Sequence, residues 1–170
     1  MLRCRSAKAP QACVGRQTVD KMKDKTASER IRKAREEIGL TAEQVAQRLS
    51  LSVAWYHDLE SYSDEVFSNI SLAHLQLLAG IIRIEPRHIL LGEQTPAPRV
   101  SGQFQDVSDG LKRKMIARGI DSETLSEQVG WNVREVLIDS QELWNFTVDG
   151  LRDLCEFAEV DWLSALPGLP

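Results

Sequence analysis

The fold is decided by the stretch IRKAREEIGLTAEQVA, residues 31–46. Its first apolar residues recur at the spacing of one helix face, which predicts an amphipathic helix. Gly39 can end that helix in the left-handed conformation. Thr41 lies three residues before Gln44, which is the capping-box spacing at the start of a second helix. The stretch therefore predicts two short helices joined by a tight connection.

The flanking sequence extends this pattern on both sides. Thr26 and Glu29 have the capping-box spacing that begins the first helix. A three-residue turn follows the second helix, and Ser52 can cap a third. The remaining expectations for this part of the chain are a third helix over 53–60, a polar loop over 61–69, a fourth helix over 72–82 and a fifth over 86–92.

The second part of the chain repeats this plan. With an offset of 80, glycines, caps and apolar positions of 31–53 fall on 111–133, and with an offset of 76 those of 70–92 fall on 146–168. Helix caps are expected again at Asp121, Asn132 and Thr147. Because a chance match does not keep glycines, caps and apolar phase together, we interpret the pattern as an internal repeat. The sequence predicts an all-α fold of two tandem small helical domains, with about five short helices each.

Four segments follow from this interpretation. Residues 1–25 lack apolar periodicity and are predicted to be a disordered basic tail, the alternative being an arm that follows DNA phosphates. Met22 suggests that the 21 residues before it are dispensable. The other segments are a first domain over 26–92, a linker over 93–106 and a second domain over 107–168.

Three short helices of these lengths, with a three-residue turn between the second and third, are the helix-turn-helix arrangement. Residues 31–92 resemble the lambda-repressor-like, or Cro-type, helix-turn-helix family through the stretch quoted above, through Leu51-Ser52 and through Leu59-Glu60. Residues 111–168 are similar to it as a degenerate copy, through the internal repeat. The resemblance implies binding to duplex DNA and regulation of transcription, with the third helix in the major groove.

The resemblance also implies a DNA-binding surface on the first domain. Its candidate residues are Arg32, Lys33, Thr41, Gln44, Arg48, Ser52, Val53, Ala54, Trp55, His57 and Asp58. The third helix lacks Arg, Lys, Gln and Asn, which are the side chains best suited to bidentate reading of bases. Packing is the alternative role for Trp55, and a solvated face is the alternative for the cations.

A structural ion pair is predicted between Arg35 and Glu60, which match family positions that commonly pair. The aligned residues of the second domain are Met115 and Ser140, so both partners change together. A desolvated pair requires this, because removing one partner alone leaves a buried charge.

The second domain is predicted to contact protein rather than DNA. Leu137 and Ile138 fall where His57 and Asp58 stand in the first domain, and apolar side chains cannot bind phosphates. Together with Trp144 they form a candidate interface, most simply with a second copy of the chain.

Charge is distributed unevenly along the chain, although the net charge is only −4. Residues 1–30 carry eight Lys or Arg against three Asp or Glu, whereas residues 111–168 carry six against eleven. This excludes a uniformly basic nucleic-acid binder but leaves room for a local basic face. The acidic second domain would be repelled by a polyanion.

Most enzyme chemistries lack support in this sequence. It has three histidines and three cysteines, and no HExxH, CxxC or glycine-rich phosphate loop. No apolar run approaches the ~18 residues of a membrane span. We therefore expect no enzyme activity, metal, cofactor, small-molecule substrate or membrane contact, and a location in the reducing cytoplasm.

Two function classes remain open at this point. The first is a DNA-binding transcriptional regulator that uses the first domain, with the second for homodimerisation or contact with a partner. The alternative is a protein-interaction or adaptor module that kept the fold and lost DNA binding. Salt-dependent binding to duplex DNA distinguishes the two.

Overall fold

A computed structural model describes residues 26–92 and 103–166, which we call the first half and the second half. The described chain is helical, as predicted, and the only β-pairing within it is an isolated bridge. The first half contains α1 Ala27–Glu37, α2 Ala42–Leu49, α3 Val53–Ser61, α4 Ser63–Ser68, α5 Leu72–Ile82 and α6 Pro86–Leu91. The second half contains α7 Gln103–Arg118, α8 Ser122–Val129, α9 Arg134–Ile138, the 3-10 helix η1 Ser140–Asn145, α10 Val148–Ala158 and α11 Trp162–Ala165.

Five of the described helices begin at the caps that the sequence indicates. Thr26 and Thr41 form complete capping boxes at α1 and α2, and Ser52 caps α3. In the second half, Asp121 and Thr147 cap α8 and α10. Local polar spacing was sufficient for these positions because each cap joins residues three apart.

Three expectations about elements are corrected by the structure. The predicted loop over 61–69 contains α4, because Val66 is fully buried in the core. Helix α7 begins at Gln103, inside the segment assigned to the linker, and its Phe104 is buried. Asn132 is not the N-cap of α9, a position that Val133 takes, although the Asn132 side chain still accepts from the Arg134 amide at 3.2 Å. The predicted tail and the rest of the linker lie outside the described residues.

Left-handed backbone occurs at equivalent positions of the two halves. Gly39 and Gly119 have φ of 70° and 64° where α1 and α7 end. The remaining equivalent pairs are Ser50 with Gly130 and Arg83 with Glu159. Sites with a positive φ are costly for most residues, so their recurrence marks turns of the same geometry.

The helix packing is also repeated. Helix α1 packs on α3, α4, α5 and α6, and α7 packs on α9, η1, α10 and α11 in the same order. Helix α2 packs on α3 and α5, as α8 packs on α9 and α10. Buried residues of both halves form one apolar cluster. Each half therefore has the same arrangement, and the two share a core.

The two halves differ at the position of Arg30. In the first half, Arg30 is buried on α1 and donates to the carbonyl groups of Ile89 and Leu90 at 2.8 and 2.9 Å. The equivalent residue on α7 is Gly110, whose missing side chain lets α7 approach the backbone of Ala158 on α10. Burial lowers the pKa of the Arg30 guanidinium.

Candidate functional site

The candidate site is built on α2, the turn after it and α3. The hydroxyl of Thr41 accepts from the Gln44 amide at 3.3 Å, and the Gln44 side chain accepts from the Thr41 amide at 2.9 Å. Ser50 takes the left-handed conformation that reverses the chain after α2. The Leu51 amide then donates to the Ala46 carbonyl at 2.9 Å. These contacts fix the angle at which α3 leaves the turn.

Helix α3 buries one face against the core and exposes the opposite face. Tyr56 and Leu59 are fully buried against the core. Burial raises the pKa of the Tyr56 hydroxyl, with the neighbouring Glu60 as a second cause. The exposed side chains of the helix are Val53, Ala54, His57, Asp58 and Ser61. A convex, exposed helix N-terminus of this kind can enter a groove of another macromolecule.

Trp55 lies between these two faces. It is half-buried and packs against the core, which agrees with packing as its alternative role. Its amide donates to the hydroxyl of Ser52 at 3.2 Å, so Ser52 is occupied in part by capping. The same is true of Thr41 and Gln44 in their capping box.

The predicted cations differ in what they contact. Arg32 donates to the backbone carbonyl of Glu60, and Lys33 pairs with Glu37 at 3.3 Å. Arg48 is exposed in the last turn of α2, and no acidic group of residues 26–92 or 103–166 lies within ion-pair distance of it. Arg48 is therefore the cation best placed to accept an external anion.

Arg35 and Glu60 form a bidentate pair that joins α1 to the end of α3. Arg35 Nε and Nη2 donate to the two carboxylate oxygens at 2.6 and 2.9 Å. Glu60 is 4% exposed and Arg35 13% exposed, so the pair is largely removed from water. The hydrogen bond to Glu60 raises the pKa of Arg35. The pair fixes the exit of α3 relative to α1, since fork geometry allows little rotation.

The corresponding end of the second half is apolar. Ile138 on α9 and Ile116 on α7 are each 83% exposed. Ile116 lines a shallow groove together with Met115, Ile120 and the half-buried Leu137, the residue before Ile138. The sequence analysis identified Leu137 and Ile138 but missed Ile116. With the offset of 80, Ile116 is the equivalent of Glu36 in the first half, where an exposed polar residue stands. This groove is the candidate for the interaction surface that the sequence predicts on the second half.

Trp144 is the third residue of the predicted interface, and the structure places it elsewhere. It lies in η1, where its ring meets Phe104 edge to face with centroids 5.0 Å apart. Its indole N–H donates to Gln141 at 3.2 Å. Trp144 is half-buried and packs in part against its own chain.

The structure brings together few groups with chemical reactivity. No cluster of three metal-ligating side chains occurs within the part of the chain that is described. His57, His74 and His88 lie on three different helices. Cys155 is buried, and burial raises the pKa of its thiol to about 12. Among the described helices, none is long and apolar enough to cross a membrane.

No family model matches the chain, and no solved structure matches it.

Proposed function

We propose that this protein is a DNA-binding regulator of transcription that contacts duplex DNA through its first half. The observation that carries this proposal is the exposed N-terminal end of α3, held by capped α2 and by the buried pair of Arg35 and Glu60. A short helix presented in this way fits the major groove. Such a regulator would act in the cytoplasm.

The chemistry of α3 sets what kind of contact it makes. Val53 and Ala54 can touch thymine methyl groups, and His57 can donate to a base or a phosphate. Asp58 can accept from the amino group of cytosine and is repelled by phosphates. Arg48 and Arg32 provide positive charge beside the helix, where phosphates would lie. The expected binding is modest in affinity and depends on salt.

Salt-dependent anisotropy titration of a random-sequence duplex tests the proposal. We expect the logarithm of affinity of the full chain to fall linearly with the logarithm of salt between about 50 and 200 mM. Arg48→Gln should make the slope shallower by about 0.9, the value for one phosphate contact. Arg83→Gln is the matched control, because Arg83 is exposed at the C-terminal end of α5 and should leave the slope unchanged. Absence of duplex binding at about 50 mM salt would overturn the proposal.

A protein-interaction module is the second candidate function. It is favoured by the exposed apolar side chains of Ile116 and Ile138 and by an α3 without Arg, Lys, Gln or Asn. The two candidates separate in the same titration. An adaptor would be folded by circular dichroism and would not bind duplex DNA even at low salt. Its interaction surface would then be impaired by Ile116→Asp, which places a charge in the apolar groove of the second half.

A further inference from the structure

A contact between equivalent residues joins the two halves. Ser71 and Thr147 form an antiparallel β-bridge, and the Leu72 amide donates to the Phe146 carbonyl at 2.8 Å. Ser71 and Thr147 are the N-caps of α5 and α10, and their separation is the offset of 76 that relates these helices. Antiparallel pairing of a residue with its own equivalent requires a rotation of about 180° between the halves.

A second contact obeys the same offset. Arg87 on α6 donates through Nη2 to the carbonyl of Leu163 on α11. These two residues are also equivalent, since α11 is the counterpart of α6. Equivalent residues can contact each other only near the two-fold axis that relates the halves. The contact of Ser71 with Thr147 and that of Arg87 with Leu163 therefore both lie near this axis.

The helix contacts between the halves are reciprocal. Helix α4 packs on α10, and η1, the counterpart of α4, packs on α5, the counterpart of α10. Reciprocity of this kind, in which each element meets the counterpart of its partner, defines the two-fold interface of a homodimer. Here both sides belong to one polypeptide.

The shared face is apolar and closed to water. Ile70 and Leu72 beside the bridge are 0% and 2% exposed, and Val148 across it is fully buried. These residues belong to the single apolar cluster that includes both halves. The face that would join two separate copies of a half is therefore occupied inside the chain.

We propose that one chain is a complete pseudo-dimer, which binds its duplex as a monomer and takes a target site without two-fold symmetry. The DNA part of this inference rests on the proposed function. In a symmetric dimer, two identical reading helices require a palindromic site. Here the equivalent positions carry His57 and Asp58 on one side and Leu137 and Ile138 on the other. Since only the first half is proposed to read bases, its target site has no second half-site, and a single chain replaces the homodimer expected from the sequence.

Hydrodynamic mass tests the pairing without DNA. Light scattering of the full chain should give one mass near 19.1 kDa over the accessible concentration range. Titration of a selected duplex should reach saturation at one chain per site. A chain that is a dimer in solution, or two chains on each bound site, would overturn the proposal that one chain acts as the complete unit, and the internal pairing is tested by the cleaved chain below. A monomer that ignores duplex DNA would instead overturn the proposed function and leave the pairing intact.

A cleavable full-length chain tests the interface itself. A protease site inserted between Pro98 and Arg99 lets the connection be cut after the protein has folded. The two fragments should still elute together at micromolar concentration, because the shared core holds them. Fragments of the unsubstituted chain that separate, each still helical by circular dichroism, would refute the internal interface.

Matched variants locate the interface in the cut protein. Leu72→Asp should separate the fragments, whereas Leu77→Asp on the same helix should not, since Leu77 is 49% exposed. Arg87→Gln is the milder variant, which keeps the core intact and should raise the dissociation constant of the fragments about tenfold or more. If Leu72→Asp unfolds the chain, the dissociation constant of the Arg87→Gln fragments tests the interface alone. Equal fragment affinity with Arg or Gln at position 87 would contradict the placement of the axis.

Discussion

Arg35 and Glu60 determine how α3 is held, and their energetics can be measured. Removing one partner of a buried pair leaves a charge without compensation and costs about 3–5 kcal/mol, whereas an apolar replacement of both can be nearly neutral. Glu60→Ala should therefore destabilise the protein strongly. Arg35→Met combined with Glu60→Ser, the residues found at the equivalent positions, should cost less than the two single changes together. The free energies of unfolding from urea titration form the double-mutant cycle.

The pair of Lys33 and Glu37 is the matched control for this cycle. It is also formed by residues of α1, but both side chains are substantially exposed, at 43% and 62%. Exposed pairs contribute about 0–1 kcal/mol, so its coupling should be close to the measurement error. If the effects of Arg35→Met and Glu60→Ser on the free energy of unfolding are additive, the Glu60 carboxylate is solvated and not paired in solution.

At the scale of elements, Gly110 and Gly80, which both lie inside helices, should respond in opposite directions to alanine. A Cβ atom on Gly110 of α7 would lie 2.8 Å from the Cβ atom and 2.9 Å from the carbonyl oxygen of Ala158. Neither neighbour can move without displacing α10, so Gly110→Ala should destabilise by about 1–3 kcal/mol. A Cβ on Gly80 of α5 would meet nothing within 4 Å, so Gly80→Ala should stabilise by about 0.5–1 kcal/mol.

Thermal unfolding of both variants checks this prediction. The expected result is a lower melting temperature for Gly110→Ala and a higher one for Gly80→Ala. Equal shifts in melting temperature would mean that helix propensity alone determines the effect of both changes. Helix α7 would then not approach α10 closely. The comparison is informative because both sites lie inside helices, where the backbone effect of the change is the same.

Local signals explain which elements sequence reasoning could find. The caps at Thr26, Thr41 and Thr147 are contacts between residues three apart, so they are written in adjacent sequence. Helix α4 has no such signal, since its N-cap, Tyr62, makes no side-chain hydrogen bond. Its single buried anchor is Val66, whose partners come from distant helices. Elements that tertiary burial creates cannot be predicted from spacing alone.

The candidate site was predictable to a similar extent. The positions of Arg35 and Glu60 could be taken from a resemblance, and the structure places their side chains in contact. The partners of Arg32 and Lys33 depend on rotamers and on the end of α3, which no periodicity specifies. Trp144 was the least predictable, because an aromatic residue in a polar segment gives no indication of which face it packs on.

At the scale of the whole molecule, the repeat was visible in the sequence but the pairing was not. Offsets of 80 and 76 show that the halves are alike. Ile70 and Leu72 would be apolar whether they faced their own half or the other. The contact of Ser71 with Thr147 decides this, and it joins residues far apart in the chain. Internal duplication followed by divergence at Arg35, Glu60, His57 and Asp58 would give this combination of a symmetric frame and unequal ends.

The basic N-terminal segment is the last feature of the whole chain that can be tested. A chain beginning at Met22 lacks Lys or Arg at five positions, and Asp20 is the one acid lost with them. Nothing in the sequence of this segment has the apolar spacing of a core element. We therefore expect truncation to leave the melting temperature unchanged, because apolar burial and not surface charge dominates stability.

Truncation and charge removal together decide what the segment does for DNA. We expect the truncated chain to keep the salt slope of the full chain, because the proposed anchors, Arg48 and Arg32, lie in the first half. A second variant keeps the length and replaces the five cations by Gln, so that charge is separated from chain length.

If the segment follows phosphates, both variants should instead show a slope shallower by about 0.9 for each lost contact. A slope reduced in both, at constant melting temperature, would establish an arm that binds DNA. A lower melting temperature in the truncated chain alone would show that the segment packs on the folded halves, and either result would replace the interpretation of a dispensable tail.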